Sequence, residues 1–294
     1  MRIDLHIHTN KSDGVLNPKE VIDEAVKNKV NLISICDHDT IDAYTLDLIE
    51  YAKENNIKLL YGVEISTKYK GYGYHVLGYN IDINNSEFRE FLSKIRLSRH
   101  NYLYDVSKKL NEFGYIINTS ELDKIDSVTK AHIANDIISN KENYDLLINN
   151  FNHIPTKGEF IETLLNEGCS CYVEKVSITP IEASKIIKKY DGKVVLAHPV
   201  AYFYEDEKNE EDIINLVNEM NADGIEGNYI YVDKNNTKHN DSEKWNDLAN
   251  KLNIMSTIGS DFHNFDGLHP VIGLINEDIE FNKNDLINNL LSEK

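Results

Sequence analysis

The sequence predicts an α/β fold that carries a helical insertion, and three observations predict it. Short apolar runs alternate with amphipathic helical stretches through the first third of the chain, and the same rhythm returns in its C-terminal part. Between them, residues 86–175 are mostly helical in pattern, more polar, and without strand alternation. The composition, 41% hydrophobic and 27% charged, is that of a globular chain rather than a disordered one. Strands alternating with helices argue for a parallel sheet or barrel. The organisation that follows is a barrel domain over residues 1–98 and 176–294, interrupted by a mainly helical cap over 99–175.

Taken in order, IDLHIH reads as the first strand and is followed by a turn. In NPKEVIDEAVKNK, Asn17 can cap a helix, Pro18 suits its first position, and Glu20 stands three past the cap. Val21, Ile22, Ala25 and Val26 then share a helical face. NLISIC is a strand, Ala43 to Asn55 a helix, and KLLYGVEIS and YHVLGYNI two further strands. After the insertion come a helix in TPIEASKIIKKYDG and a strand in KVVLAHPV. A helix near Glu210–Met220, a strand in GIEGNY, a helix around Trp245 and a last strand in NIMSTIGSDFH complete the chain.

With 294 residues the chain can bury one large core or two modest ones. No run of about 18 apolar residues is available to span a bilayer. The start, MRIDLHIHT, lacks the basic stretch and long apolar segment of a signal peptide. Cys36 stands alone, and Cys169 and Cys171 are too close together to suggest a disulfide framework, so a reduced cytoplasmic setting is expected. The net charge of −18, from 49 acidic and 31 basic residues, should repel duplex DNA and anionic membranes. It does not exclude a small phosphorylated substrate, because bound divalent cations invert the local field.

The chemistry lies in the histidines and carboxylates. His6 and His8 are two apart on a strand and therefore point to the same side, as two imidazoles must to share a metal. Asp37, His38 and Asp39 follow the strand NLISIC directly, and Glu64 stands near the end of the next, where an unpaired buried carboxylate is expensive. His75 opens the following strand, His198 closes KVVLAH, and Asp261 and His263 stand two apart at the end of the last. Taken singly, each could be a core histidine, a helix cap or, like Asp13 in its Ser-Asp-Gly turn, a turn residue. Together, six of the 11 histidines fall at strand ends or edges, and in parallel α/β folds those ends converge on one face. Six imidazoles with Asp13, Glu64 and Asp261 make a nitrogen and oxygen donor set without thiolate, suited to two or three ions such as Zn, Mn or Fe.

LHIHTNKSDG, DHDT, GVEIS, AHP and GSDFH, in that order, resemble the motifs of the PHP (polymerase and histidinol phosphatase) superfamily. The resemblance covers most of the chain outside the insertion. It implies a distorted seven-stranded (β/α) barrel with a trinuclear metal site at one end. On that pattern His6, His8 and Asp261 hold the first metal, and Glu64 bridges to a second completed by His75 and His198. Asp13, His38 and His263 hold a third and also meet the substrate. The insertion is similar to that of the family's nucleotide phosphoesterases, which remove the 3′-phosphate of nucleoside 3′,5′-bisphosphates and in some cases trim short RNA from its 5′ end. There an arginine-rich helix grips phosphate, and IRLSRHNYLYDV offers Arg96, Arg99, His100 and Asn101 at the corresponding place, with His132 of AHIAND as a second contact. The plainer reading of the two arginines is a solvated helix face. Lys130 and Ala131 precede His132 where a more polar or arginine-bearing run would fit the pattern, which bears on the substrate rather than the chemistry.

The expected reaction is hydrolysis of a nucleotide phosphate monoester by a metal-bridging hydroxide attacking phosphorus in line. Arg99 would clamp phosphate as a bidentate partner, His132 or a metal-bound water would protonate the leaving group, and Asp37 and Asp39 would orient imidazoles. Histidinol-phosphate phosphatase is the nearest alternative. An amidohydrolase would want a bridging lysine where Glu64 stands, and a non-catalytic metal-binding module would not need a full ligand set.

Overall fold

Ten strands among the described residues frame the site: β1 (Arg2–Ile7), β2 (Val30–Ile35), β3 (Lys58–Leu59), β4 (Gly62–Tyr69), β5 (Tyr72–Tyr79), β6 (Lys193–Leu196), β7 (Gly224–Asn228), β8 (Tyr231–Val232), β9 (Lys238–His239) and β10 (Met255–Ile258). The computed structural model describes residues 2–279 apart from 124, 126, 127, 175, 176 and 234, together with 286, 287 and 290; at Arg99, His100 and Asp278 it describes the backbone alone. The chain divides into two compact units, Met1–Leu92 with Ile178–Lys294, and Ser93–Ser177.

In the first unit the fold is mixed α/β. A three-stranded parallel sheet runs β1-β2-β3, and a five-stranded sheet runs β10-β7-β6-β5-β4. Strands β8 and β9 form a separate hairpin. These ladders do not close into one seven-stranded ring. Among the described residues, strand pairing between the two larger sheets is limited to single parallel bridges, Ile7 to Phe262 and His38 to Glu64. The sheet is also not wholly parallel, because β5 runs antiparallel to both β4 and β6. The cause is local: Lys70 and Gly71 take positive φ (49° and 91°), the two-residue turn whose twist joins adjacent antiparallel strands.

That hairpin moves two expected boundaries. Strand β4 begins at Gly62 and runs on to Tyr69, so Glu64 lies near its start, not its end. His75 lies within β5 and faces Ser66 across the ladder instead of opening the strand. The helix Pro18–Lys27 has the expected capping box between Asn17 and Glu20, with Pro18 at its first turn, and buries Val21, Ile22 and Ala25. Val26, expected on the same face, is exposed, since it falls past the edge of the apolar stripe. Ile3, Leu5, Leu32, Leu77, Val195 and Ile258 meet in one buried cluster that holds the strands together. Burying a side chain of this size stabilises by about 1.5–3 kcal/mol.

The second unit is helical, with helices at Ser93 onward within Ser86–Glu112, then Thr119–Leu122, Lys130–Ser139, Tyr144–Phe151 and Lys157–Phe160. It carries its own apolar core, in which Leu103, Leu110, Tyr115, Ile133, Ile137 and Phe160 are buried together. Among the described residues no helix is long and apolar enough to cross a membrane.

Candidate metal centre

Strand alternation puts Asp4, His6 and, just past the strand, His8 on one side of β1. The segments following β2, β6 and β10 bring Asp37 to Asp39, His198, and Asp261 to His263 to the same place, while β4 and β5 supply Glu64 and His75 from within the ladder. Three of these turns depend on left-handed backbone at non-glycine residues: Asp39 (φ 49°), His198 (φ 25°) and Asp261 (φ 51°). Such conformations persist only where the surroundings enforce them, and they cluster at functional sites.

The donor atoms form three overlapping groups: His6, His8, Glu64 and Asp261; His8, Asp13, His38 and His263; and His38, Glu64 and His75. His198 joins through Glu64, with Nε2 3.3 Å from Oε1. The two oxygens of Glu64 divide the work. Oε2 faces His6, His8 and His38 at 3.3, 3.2 and 3.3 Å, whereas Oε1 faces His75 and His198 at 3.0 and 3.3 Å. Asp13 reaches His263 Nε2 at 3.3 Å and His38 Nε2 at 3.7 Å, with His8 Nδ1 3.4 Å away.

These residues fit divalent metal on two grounds. In the first group the Nε2 atoms of His6 and His8 are 3.1 Å apart, each 3.2–3.3 Å from Glu64 Oε2, and 3.4 and 3.1 Å from Asp261 Oδ1. A tetrahedral ion with bonds of about 2.0–2.1 Å separates its ligands by about 3.3–3.4 Å, close to all five of these distances. In addition, His198 Nδ1 is buried without a hydrogen-bond partner among the described residues, a cost that proteins seldom leave uncompensated.

The electrostatics agree. Burial would raise the Glu64 carboxyl, but the imidazoles of His6, His75 and His38 outweigh it and hold it well below the usual range. Asp13 and Asp261 are held low in the same way by their histidines against the effect of burial. Burial would lower His6, yet Glu226, Glu64 and Asp261 hold it well above the ordinary imidazole value. His38, with burial dominant, is pushed down to about 3.

The expected contacts in the insertion lie in the second unit. The side chains of Arg99 and His100 are outside the described residues, while Arg96 and Asn101 are exposed on the helix Ser86–Glu112. His132 is exposed and serves its own helix, its Nδ1 accepting the Thr129 N–H at 3.3 Å in a capping box. Asp37 and Asp39, expected to orient imidazoles, take part in hydrogen bonds that hold the neighbouring loops. Asp37 accepts the N–H and hydroxyl of Thr9 and the hydroxyl of Ser12, each at 2.7 Å, and so pins the loop between His8 and Asp13. Asp39 accepts the N–H of Ser66. Gly14 belongs to that loop, where a Cβ would come within 2.4 Å of the His8 carbonyl oxygen.

Sequence reasoning missed Glu226 and Asp4. Both are fully buried carboxylates beside the cluster, Glu226 on His6 and Asp4 on the backbone N–H groups of Ser260 and Gly273. The signal that pointed to Glu64, an acid inside a buried strand, was equally present in GIEGNY.

Comparison with known proteins bears on the same residues. The sequence profile of the PHP domain matches residues 4–229. A 5′-3′ exoribonuclease of Haemophilus influenzae is 29% identical over 89% of this chain and 90% of its own length. A 3′,5′-nucleoside bisphosphate phosphatase of Chromobacterium violaceum is 26% identical over 89% of this chain and 87% of its own. Among solved structures, a Bifidobacterium adolescentis protein described provisionally as a metal-dependent phosphoesterase superposes with a TM-score of 0.65, at 20% identity, over 99% of this chain and 95% of its own; at that identity the likeness speaks to fold alone.

Proposed function

The chain belongs to the PHP domain family and is a metal-dependent phosphoric ester hydrolase, and from that premise we propose that its substrates are nucleotides: the 3′-phosphate of nucleoside 3′,5′-bisphosphates, or short 5′-phosphorylated RNA. The observation that carries the metal-centre part of this reading is Glu64, one carboxylate whose two oxygens face two separate sets of imidazoles at 3.0–3.3 Å. We assign two or three divalent ions to this cluster. His6, His8, Glu64 and Asp261 would hold one, and His75 and His198 with the other oxygen of Glu64 a second. Asp13, His38 and His263 would hold a third. The two bridges between the sheets support reading β1, β2, β4, β5, β6, β7 and β10 as the staves of a distorted barrel whose open end carries the site.

Bound ions would supply an activated water near neutral pH and neutralise charge on the phosphoryl oxygens. The chain does the rest. Glu64, buried and held ionised by its histidines, keeps the sets of ligands in one register. Asp13, at the more exposed edge of the cluster, leaves the side from which a phosphate enters. Cys36, the cysteine beside the cluster, is buried with its thiol pushed up to about 12 by burial, which leaves it inert as a nucleophile. The similarity to a bisphosphate phosphatase and an exoribonuclease, each over nearly the whole chain, supports the nucleotide class over histidinol phosphate.

The test is phosphate release by metal-stripped protein given Mn(II) or Zn(II), on adenosine 3′,5′-bisphosphate, adenosine 5′-monophosphate, a short 5′-phosphorylated RNA and histidinol phosphate. Release of phosphate from the bisphosphate, or of mononucleotides from the RNA, ahead of the other substrates is expected. Preference for histidinol phosphate would keep the metal centre and overturn the substrate class.

A further inference from the structure

Glu226 stands on β7, between β6 and β10, and is buried completely. Both its carboxylate oxygens lie 3.0 Å from Nδ1 of His6 on β1. The same carboxylate accepts, through Oε2 at 3.0 Å, the backbone N–H of His198, the residue that leaves β6 with φ at 25°. One side chain therefore touches two histidines that face opposite oxygens of Glu64: His6 on Oε2 and His198 on Oε1.

A neutral imidazole has one N–H and one lone pair. A carboxylate against Nδ1 requires the proton there and leaves the lone pair on Nε2, the atom His6 turns to His8, Glu64 and Asp261. The room for this arrangement is made by Gly259, just past β10. A Cβ there would stand 2.2 Å from His6 Cβ and 2.4 Å from Glu226 Oε1, so no larger residue could share the space. Glu226 makes no contact with the cluster's other imidazoles at hydrogen-bond distance among the described residues, which sets it apart from Glu64.

We propose that Glu226 is a positioning residue of the metal centre: it fixes His6 with Nε2 free to bind and, through the His198 backbone, ties the ligands on the two oxygens of Glu64 into one unit. This rests on the reading of the cluster as a metal site. It predicts that the carboxylate acts selectively, on the ions held by His6 and His198 and not on the one held by Asp13, His38 and His263.

The experiment is calorimetric titration of the metal-stripped full chain with Mn(II), wild type against Glu226→Gln, which keeps shape and removes the charge. Partners of this kind are worth about 10–100-fold in metal affinity. The expected result is a loss of that size at part of the wild-type sites, with the remainder unchanged. Equal affinity and stoichiometry in the two proteins would overturn the proposal, and so would a uniform weakening of every site, which marks a loosened fold. Wild type that binds no Mn(II) would overturn the metal reading itself, and this proposal with it. A second measurement needs no variant: nitrogen NMR of the Zn(II)-loaded wild type should show His6 bound through Nε2 with the proton on Nδ1, and binding through Nδ1 would contradict the assignment.

Discussion

The histidines of the cluster in the first unit and two histidines of the second stand in different surroundings, and those surroundings tell them apart. In the first unit His6 and His8 are fully buried, crossed by carboxylates at 3.0–3.4 Å, and stacked on the imidazoles of His198 and His263 respectively. In the second, His132 and His153 are exposed, one closing a capping box with Thr129 and the other beside Glu159 of another. The difference teaches that a histidine count says little until burial is known. An imidazole stripped of water and surrounded by anions is poised for a cation, whereas an exposed one at a helix start satisfies a backbone N–H.

The first way to break the comparison is to remove its pivot. Glu64→Gln should lower phosphate release by more than about 100-fold, beyond the cost typical of outer partners, and reduce bound Mn(II) in parallel. The second is to remove the ions. Metal-stripped protein should melt earlier, and ions present at 100 times their dissociation constant should restore about 2.7 kcal/mol for each independent site they fill. A matching shift on adding EDTA to loaded protein, and none on adding it to stripped protein, is the check.

The third sharpens the contrast within the first unit. Asp13, Glu64 and Asp261, which face imidazoles, are held low, but Asp4, which accepts from backbone N–H groups and the Ser260 hydroxyl, is raised by burial, outweighing those bonds, to about 6. Because its folded value lies above its unfolded one, its favourable contribution is full below about pH 4 and is lost as pH rises through 6. Asp4→Asn should accordingly cost more at pH 4 than at pH 7, by about 2–3 kcal/mol, in denaturant titrations of the metal-stripped protein.

The remaining two concern the second unit. Arg99→Ala is expected to raise KM for the bisphosphate by about 10–100-fold, the worth of a charge-assisted phosphate contact, with turnover little changed. His132→Ala should cost about 0.5 kcal/mol of stability, the low end for a lost cap. Turnover slowed by about 100-fold or more, the scale of general acid catalysis, would instead make His132 part of the chemistry.

Much of this was legible in the sequence for physical reasons. The spacing in LHIHT must place two imidazoles on one side of any strand, and Asn17, Pro18 and Glu20 must favour a helix start wherever they fall. What escaped depends on neighbours distant in the chain or on turn chemistry. The antiparallel β5 follows from Lys70 and Gly71, a turn signal hidden between two tyrosine-rich runs that read as separate strands. The division into separate sheets joined by single bridges is a matter of register, which periodicity does not carry. Glu226 becomes visible only when β7 and β1 are brought together around Gly259, although its position inside a buried strand was a fair warning. The left-handed backbone of His198 leaves no trace in residue type at all.

The most direct test of the central claim, that these residues are a multinuclear metal centre organised on Glu64, is the number of ions the chain binds. Metal-stripped wild type titrated with Mn(II) and analysed by mass spectrometry under native conditions should take up two or more ions per chain, and Glu64→Gln fewer. Uptake of a single ion or none by the wild type would contradict the account.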